Sequence, residues 1–167
     1  MKNYCALLGN GYYAAAQYIE QIPIKKTELV NTFEIFADYL LFLNIIPENR
    51  IKLKEIITFL DKKIADCMVY ELYFKDIFEL EGLEIDFIRK ISNYLVPINY
   101  DEFIDLYTKK LLKKPFDELK LIQIESENFE TIKSVHKNII EDTKILEQIK
   151  LIKSHPWIKK IENKQKI

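Results

Sequence analysis

The sequence contains few of the residues that form tight turns, with three glycines and five prolines in 167 residues. All-β folds need many such turns, so this scarcity favours helices joined by short links. Cysteine is also rare, because only Cys5 and Cys67 are present. Most small secreted domains carry more cysteines for disulfide bonds, so we expect two free thiols in a reducing cytosol.

Long hydrophobic runs are absent as well. The longest stretch without charge, residues 3–19, is interrupted by Gly9-Asn10-Gly11, and its apolar part is too short for a signal peptide. The apolar run at residues 39–46 is far shorter than the roughly 20 residues that cross a bilayer. The sequence therefore predicts a cytoplasmic protein with no membrane partner.

The composition is typical of one globular domain. Hydrophobic residues make up 49% of the chain and charged residues 31%, unlike disordered or membrane-spanning chains. Domains usually contain about 100–200 residues, which suits a single unit here. We expect an all-α, single-domain multi-helix bundle over residues 1–167, with roughly seven to nine helices.

Apolar residues at three- and four-residue spacing, together with helix start and stop signals, predict where the helices lie. The predicted helices are Tyr12–Gln21, Glu28–Asn44, Pro47–Leu80 (continuous or broken at Asp61-Lys62-Lys63), Leu83–Val96, Tyr100–Lys113, a short helix from Pro115, Glu127–Lys153 capped by Ser126, and a short helix containing Trp157 and Ile161. The segment 127–153 is either one helix or two that join near Glu141-Asp142.

Charge is distributed unevenly, although the net charge is only −1. Residues 66–106 contain ten acidic and three basic residues, a net charge of −7, whereas residues 150–167 contain six lysines and one glutamate, a net charge of +5. The acidic residues fall on three predicted helices, which we expect the short links to make neighbours. Because a surface of one sign attracts partners of the other, the acidic segment is a candidate binding surface.

The run Gly9-Asn10-Gly11-Tyr12-Tyr13-Ala14 matches the pattern G-x-G-x-x-A of dinucleotide-binding proteins. That motif joins a strand of a parallel sheet to a helix, and its glycines let backbone amides approach a pyrophosphate. Only residues 4–8 could form such a strand here, and no second strand is predicted. We therefore interpret the glycines as a turn before the first helix and expect no cofactor.

Two carboxylate pairs, Glu81 with Glu84 and Glu102 with Asp105, have three-residue spacing on neighbouring predicted helices. They resemble the metal-binding pattern of the all-α nucleotide pyrophosphatases of the MazG type. The resemblance implies magnesium held between the four carboxylates against a triphosphate. Because Gly82 interrupts the first pair, we keep this activity as an alternative and expect no metal site.

Signals for other chemistry are weak. His136 and His155 are far apart and match no metal-binding spacing, and no local nucleophile motif is present. Only two of the 25 basic residues are arginines, which is low for a nucleic-acid-binding surface. We expect no catalytic residues, no enzyme activity and no nucleic-acid partner, with a self-assembling phage or plasmid accessory protein as a further alternative.

Small size, a composition rich in lysine and isoleucine, and the lack of a catalytic motif make this chain similar in type to the small helical immunity proteins of contact-dependent growth inhibition and polymorphic toxin systems. The resemblance implies a cytosolic inhibitor of one cognate protein toxin, expected to be a nuclease. Nucleases are basic because their substrates are polyanions, so an acidic surface suits them. The residues expected to contact the toxin are Asp76, Glu79, Glu81, Glu84, Asp86, Tyr100, Asp101, Glu102 and Asp105.

Overall fold

The chain folds into an all-α bundle, as the sequence predicts. A computed structural model describes residues 6–8, 11–13, 27–46 and 50–164. Its helices are α1 (Val30–Ile45), α2 (Arg50–Phe59), α3 (Asp66–Leu80), α4 (Phe87–Ser92), α5 (Tyr100–Leu111), α6 (Glu118–Glu141), α7 (Thr143–Ser154) and α8 (Pro156–Lys164). A π-helical segment, Leu60–Ala65, joins α2 to α3 without a gap. When α2, the π-helical segment and α3 are counted as one continuous helix, the described part of the chain has seven helices, which is within the predicted range.

Two short strands precede the helices. The strands β1 (Ala6–Leu8) and β2 (Gly11–Tyr13) pair in antiparallel orientation, with Leu7 opposite Tyr12. The prediction of a helix from Tyr12 is therefore wrong for Tyr12 and Tyr13, which lie in β2. Tyrosine is found more often in strands than in helices. Residues 14–21 of that predicted helix lie outside the described residues, as do the remaining residues of the glycine motif.

The predicted long helix up to Leu80 is confirmed over residues 50–80, and the predicted break at Asp61-Lys62-Lys63 coincides with the π-helical segment. Leu60 and Ile64 are both fully buried on either side of these charged residues. A π turn shifts the buried face of a helix by part of a turn. The shift keeps the charged residues towards solvent while both apolar neighbours stay in the core.

One predicted helix, Leu83–Val96, is much longer than the helix observed, α4. Its two flanks are instead held by side chains from other helices. The backbone N–H of Asp86 donates to Gln148 Oε1 at 3.1 Å, and the backbone N–H of Val96 donates to the Tyr39 hydroxyl at 2.9 Å. These backbone groups find partners outside a helix, so the helical pattern of the sequence is overridden.

The start of α6 also differs from the prediction. A short helix from Pro115 and a cap at Ser126 were expected, but α6 begins at Glu118 and runs through Ser126. Asp117 caps it, because its carboxylate accepts the backbone N–H of Lys120 at 3.0 Å. Burial of Leu121 and Ile124 stabilises the first turns of α6, which outweighs the weak helix propensity of serine.

One hydrophobic core connects the helices. Phe42 from α1 and Phe103 from α5 are fully buried, with ring centroids 4.7 Å apart in edge-on contact. The helices α3 and α4 pack on each other and on α7, whereas α5 packs along α6. Cys67 is a buried free thiol of this core. Within the described ranges, no helix is both long enough and apolar enough to cross a membrane.

Candidate partner-binding surface

The predicted contact residues on α3 and at the α3–α4 connection lie beside cations. Asp86 lies 3.7 Å from Arg89 Nε and 4.0 Å from Lys90 Nζ. Lys75 and Arg89 line one open cavity of about 480 Å³ together with Glu79, Glu84 and Asp86. Asp76 lies one turn before this group and is exposed. Three bases thus offset part of the negative charge of the five acids in this region.

Glu81 has a structural partner. Its Oε2 lies 2.9 Å from Nε2 of His155, which is buried and makes edge-on contact with the Phe78 ring. The other imidazole nitrogen, Nδ1, accepts the backbone N–H of Trp157 at 3.3 Å. Since Nδ1 is an acceptor, Nε2 carries the proton and donates it to Glu81. Both ring nitrogens are engaged, so this pair connects the end of α3 to the start of α8.

The third acidic helix, α5, follows a link that is held by side chains of α1 and α6. The Tyr39 hydroxyl donates to the Val96 carbonyl at 2.5 Å and accepts the Val96 N–H. Asn99 exchanges two hydrogen bonds with Asn128, at 3.0 and 3.1 Å. The link therefore contacts α1 at Tyr39 and then the middle of α6 at Asn128. The sequence predicts that a short link makes α3 and α5 neighbours, but α5 packs along α6, whereas α3 packs on α4 and α7.

The nine predicted residues therefore form two groups. Tyr94, at the end of α4, donates to Asp142 at 2.5 Å, while Asn99 binds Asn128. Asn128 and Asp142 lie about 21 Å apart along α6, at roughly 1.5 Å per residue. The group on α5 (Tyr100, Asp101, Glu102 and Asp105) lies on a helix that packs along α6, whereas the group at Asp76 to Asp86 lies on α3 and the α3–α4 connection, and α3 and α4 pack on α7.

The four carboxylates of the pyrophosphatase-like pattern are not brought together. Glu102 forms an ion pair with Lys120 and accepts a hydrogen bond from Asn99, and these contacts lower its pKa. Asp105 lies 2.6 Å from Lys109, and Glu81 contacts the histidine described above. Over the described ranges, no group of three or more acidic, histidine or cysteine side chains could hold a metal ion.

A different set of acids gathers where α1 meets α5. Burial raises the pKa of Asp38, and the nearby charges of Asp101 and Glu34 raise it further. Among the described residues, no lysine or arginine lies within ion-pair distance of these three carboxylates. Half-buried Tyr100 stands beside them, and its pKa is raised by burial and then by Asp38 and Asp101. We call Glu34, Asp38, Tyr100 and Asp101 the α1–α5 acidic face.

Sequence reasoning found two residues of this face, Tyr100 and Asp101, and missed Glu34 and Asp38. The signal that could have found them is their four-residue spacing, which puts both on one side of α1. That side lies opposite the buried stripe of Phe36, Tyr39 and Leu43. Their approach to Asp101, however, depends on the packing of α5 against α1, which the local pattern does not contain.

Known proteins do not indicate which surface the chain uses. No protein-family model, curated protein or solved structure matches it. Its function therefore has to be inferred from the charges and contacts of its own residues.

Proposed function

We propose that this chain is a cytosolic immunity protein that binds a cognate toxin, a basic nuclease, through the α1–α5 acidic face and so neutralises it. The observation that supports this proposal is that Asp101 and Glu34 both act on the partly buried Asp38 and raise its pKa, while no lysine or arginine of the described chain forms an ion pair with these three carboxylates. Such an arrangement costs stability, because like charges repel one another. A basic partner removes that cost when it binds.

The charge of this face suits a partner that binds polyanions. A nuclease presents lysine and arginine to its substrate, and these side chains are attracted to carboxylates that have no other partner. Complementary charge of this kind raises the association rate and selects among partners. The acids near Asp86 contribute less in this proposal, because Arg89 and Lys90 already lie beside them.

Tyr100 supplies the apolar part of the contact. Its ring packs on Phe103, with centroids 6.4 Å apart, and the residue is only partly buried. A tyrosine held in this way loses little freedom on binding, and such residues often carry much of the affinity of an interface. The proposed interface thus combines an anchored aromatic ring with unpaired negative charge.

Affinity capture from the native host, followed by expression of the captured protein, tests the proposal. The wild-type chain should retain a basic protein that arrests growth when it is expressed alone. The triple variant Glu34→Gln/Asp38→Asn/Asp101→Asn should lose it, because each removed charge weakens the attraction. Tyr100→Ala should weaken capture by about 2 kcal/mol, the usual size for an anchor residue.

A matched control variant removes the same amount of negative charge from other positions on the surface. Glu55, Glu118 and Glu147 are exposed and lie on α2, α6 and α7. Replacing these three by glutamine should leave capture unchanged. Equal losses in the two triple variants would show that only net charge matters. Capture of a non-toxic protein would contradict the proposed function altogether.

A further inference from the structure

The end of the α5–α6 hairpin exposes leucine among lysines. The sequence there is Lys109-Lys110-Leu111-Leu112-Lys113-Lys114, followed by Pro115 and the start of α6. Leu111 is 64% exposed, Leu112 58%, Leu119 80% and Ile122 58%. We call residues 109–122 the hairpin tip. Four large apolar side chains are thus open to solvent within one short stretch.

Backbone hydrogen bonds hold the turn that follows α5. The N–H of Lys114 donates to the Lys109 carbonyl at 2.9 Å, and the N–H of Lys113 donates to the Lys110 carbonyl at 3.1 Å. Lys113 has φ of 54°, a left-handed conformation that glycine usually occupies at helix ends. These bonds end α5 in a hydrogen-bonded turn, directly after the exposed Leu111 and Leu112.

The lysines of the hairpin tip carry charge that is only partly offset. Lys109 pairs with Asp105 and Lys120 with Glu102. In the described part of the chain, Lys110, Lys113 and Lys114 have no ion-pair partner. Residues 109–120 contain five lysines against Asp117 and Glu118, a net charge of +3. The hairpin tip is therefore both apolar and basic, in contrast to the acidic face at the other end of α5.

We propose that the hairpin tip docks this protein onto the surface of an anionic lipid bilayer. The leucines enter the interface between headgroups and acyl chains, and the lysines contact the negative headgroups. Lysine, unlike arginine, acts as a point charge without fixed geometry, which suits the diffuse negative field of a lipid surface.

This inference goes beyond the proposed function and concerns a separate surface. It also revises the expectation of no membrane partner, which considered only segments that cross the bilayer. Docking by a hairpin tip needs no spanning helix. The acidic face stays free to bind a protein, because Asp101 lies about 15 Å from Leu111 along α5, at roughly 1.5 Å per residue.

Co-sedimentation with vesicles tests the proposal. The wild-type chain should bind vesicles of equal parts phosphatidylcholine and phosphatidylglycerol, and should not bind vesicles of phosphatidylcholine alone. The variant Lys110→Gln/Lys113→Gln/Lys114→Gln should bind about a hundredfold more weakly, at about fivefold for each lysine. The variant Leu111→Ser/Leu112→Ser should bind about tenfold more weakly, because it loses the apolar contact.

Matched controls change the same residue types elsewhere. Leu80 is 87% exposed and lies among acids, and Lys159 and Lys160 are exposed on α8. Leu80→Ser and Lys159→Gln/Lys160→Gln should retain vesicle binding. The substituted side chains are exposed, and circular dichroism will verify that each variant is folded.

Absence of vesicle binding by the wild-type chain, or binding that the leucine variant keeps in full, would overturn the proposal. The proposal would also be overturned if an added acidic protein, but not added anionic lipid, released the bound chain from the vesicles.

Discussion

Glu71 places a carboxylate in the core, where it accepts the backbone N–H of Ile88 at 2.6 Å and so holds the start of α4. The pKa of Glu71 is raised, chiefly by burial and to a smaller extent by the charge of Asp86. Hydrogen bonds from Ile88 and Phe87 and the charge of Lys75 lower the pKa but do not cancel this effect. A carboxyl with a raised pKa binds its proton more tightly in the folded state than in the unfolded chain. Its contribution to stability is therefore greatest at low pH and is lost as pH rises towards the folded value.

The variant Glu71→Gln keeps the acceptor and removes this titration. We expect its stability relative to the wild type to increase as pH rises from about 4 to 7, the range above the ordinary glutamate pKa. Urea denaturation of both proteins at several pH values measures the difference in free energy of unfolding. A difference that stays constant across this range would contradict the assignment.

Tyr39 determines the path of the link between α4 and α5. Its hydroxyl makes two hydrogen bonds with the backbone of Val96, and burial raises its pKa to about 12. We expect Tyr39→Phe to cost about 1–3 kcal/mol, because the Val96 N–H and carbonyl lose their partner. Thermal unfolding measures the cost. Tyr107→Phe is the control and should leave stability nearly unchanged, since no hydrogen bond of its hydroxyl is seen within the described residues.

At the scale of the elements, Asp142 separates α6 from α7. Its carboxylate accepts the Tyr94 hydroxyl and the backbone N–H of Lys144 at 2.8 Å, and these hydrogen bonds lower its pKa against the opposing effect of burial. We expect Asp142→Ala to destabilise the fold by about 1 kcal/mol, whereas Asp142→Asn, which also caps helices well, should cost less. Chemical denaturation of the two variants measures this. Equal losses would show that the cap is not the important contact.

The helices that the sequence predicted correctly are those with strong local signals. The stripe of α1 and the polarity of charge along α5 each act within a few residues. The break at Asp142, by contrast, was only one of two alternatives for residues 127–153, and the structure shows that it is present. The link after α4 and the start of α6 were predicted wrongly. Their geometry depends on Tyr39, Asn128 and Gln148, which are distant in sequence, so no local pattern contained the information.

The candidate surface also depends on residues that are distant in sequence. Counting charge along the chain identified Asp101 and Tyr100, because they belong to an acidic segment. It also placed Asp76 to Asp86 on the same surface, although α3 and α4 pack on α7 and α5 packs along α6. Asp38 and Glu34 lie far from that segment in sequence. Only the packing of α1 against α5 brings them to Asp101.

For the whole molecule, the α1–α5 acidic face should cost stability. Glu34 and Asp38 are four residues apart on α1, and like charges at this spacing destabilise a helix by about 0.2–0.5 kcal/mol. The pKa of Asp38 is raised, so its unfavourable contribution should grow as pH rises above the ordinary aspartate value. We therefore expect Asp38→Asn to be slightly more stable than the wild type at neutral pH. Differential scanning calorimetry in low salt should show this gain, and added salt should reduce it.

The most direct test of the account is growth of cells that express the captured partner. Growth should stop when the partner is expressed alone, and should resume when the wild-type chain is co-expressed. The variant Glu34→Gln/Asp38→Asn/Asp101→Asn, verified as folded and equally abundant, should fail to restore growth. Full rescue by this variant would contradict the claim that these carboxylates hold the toxin.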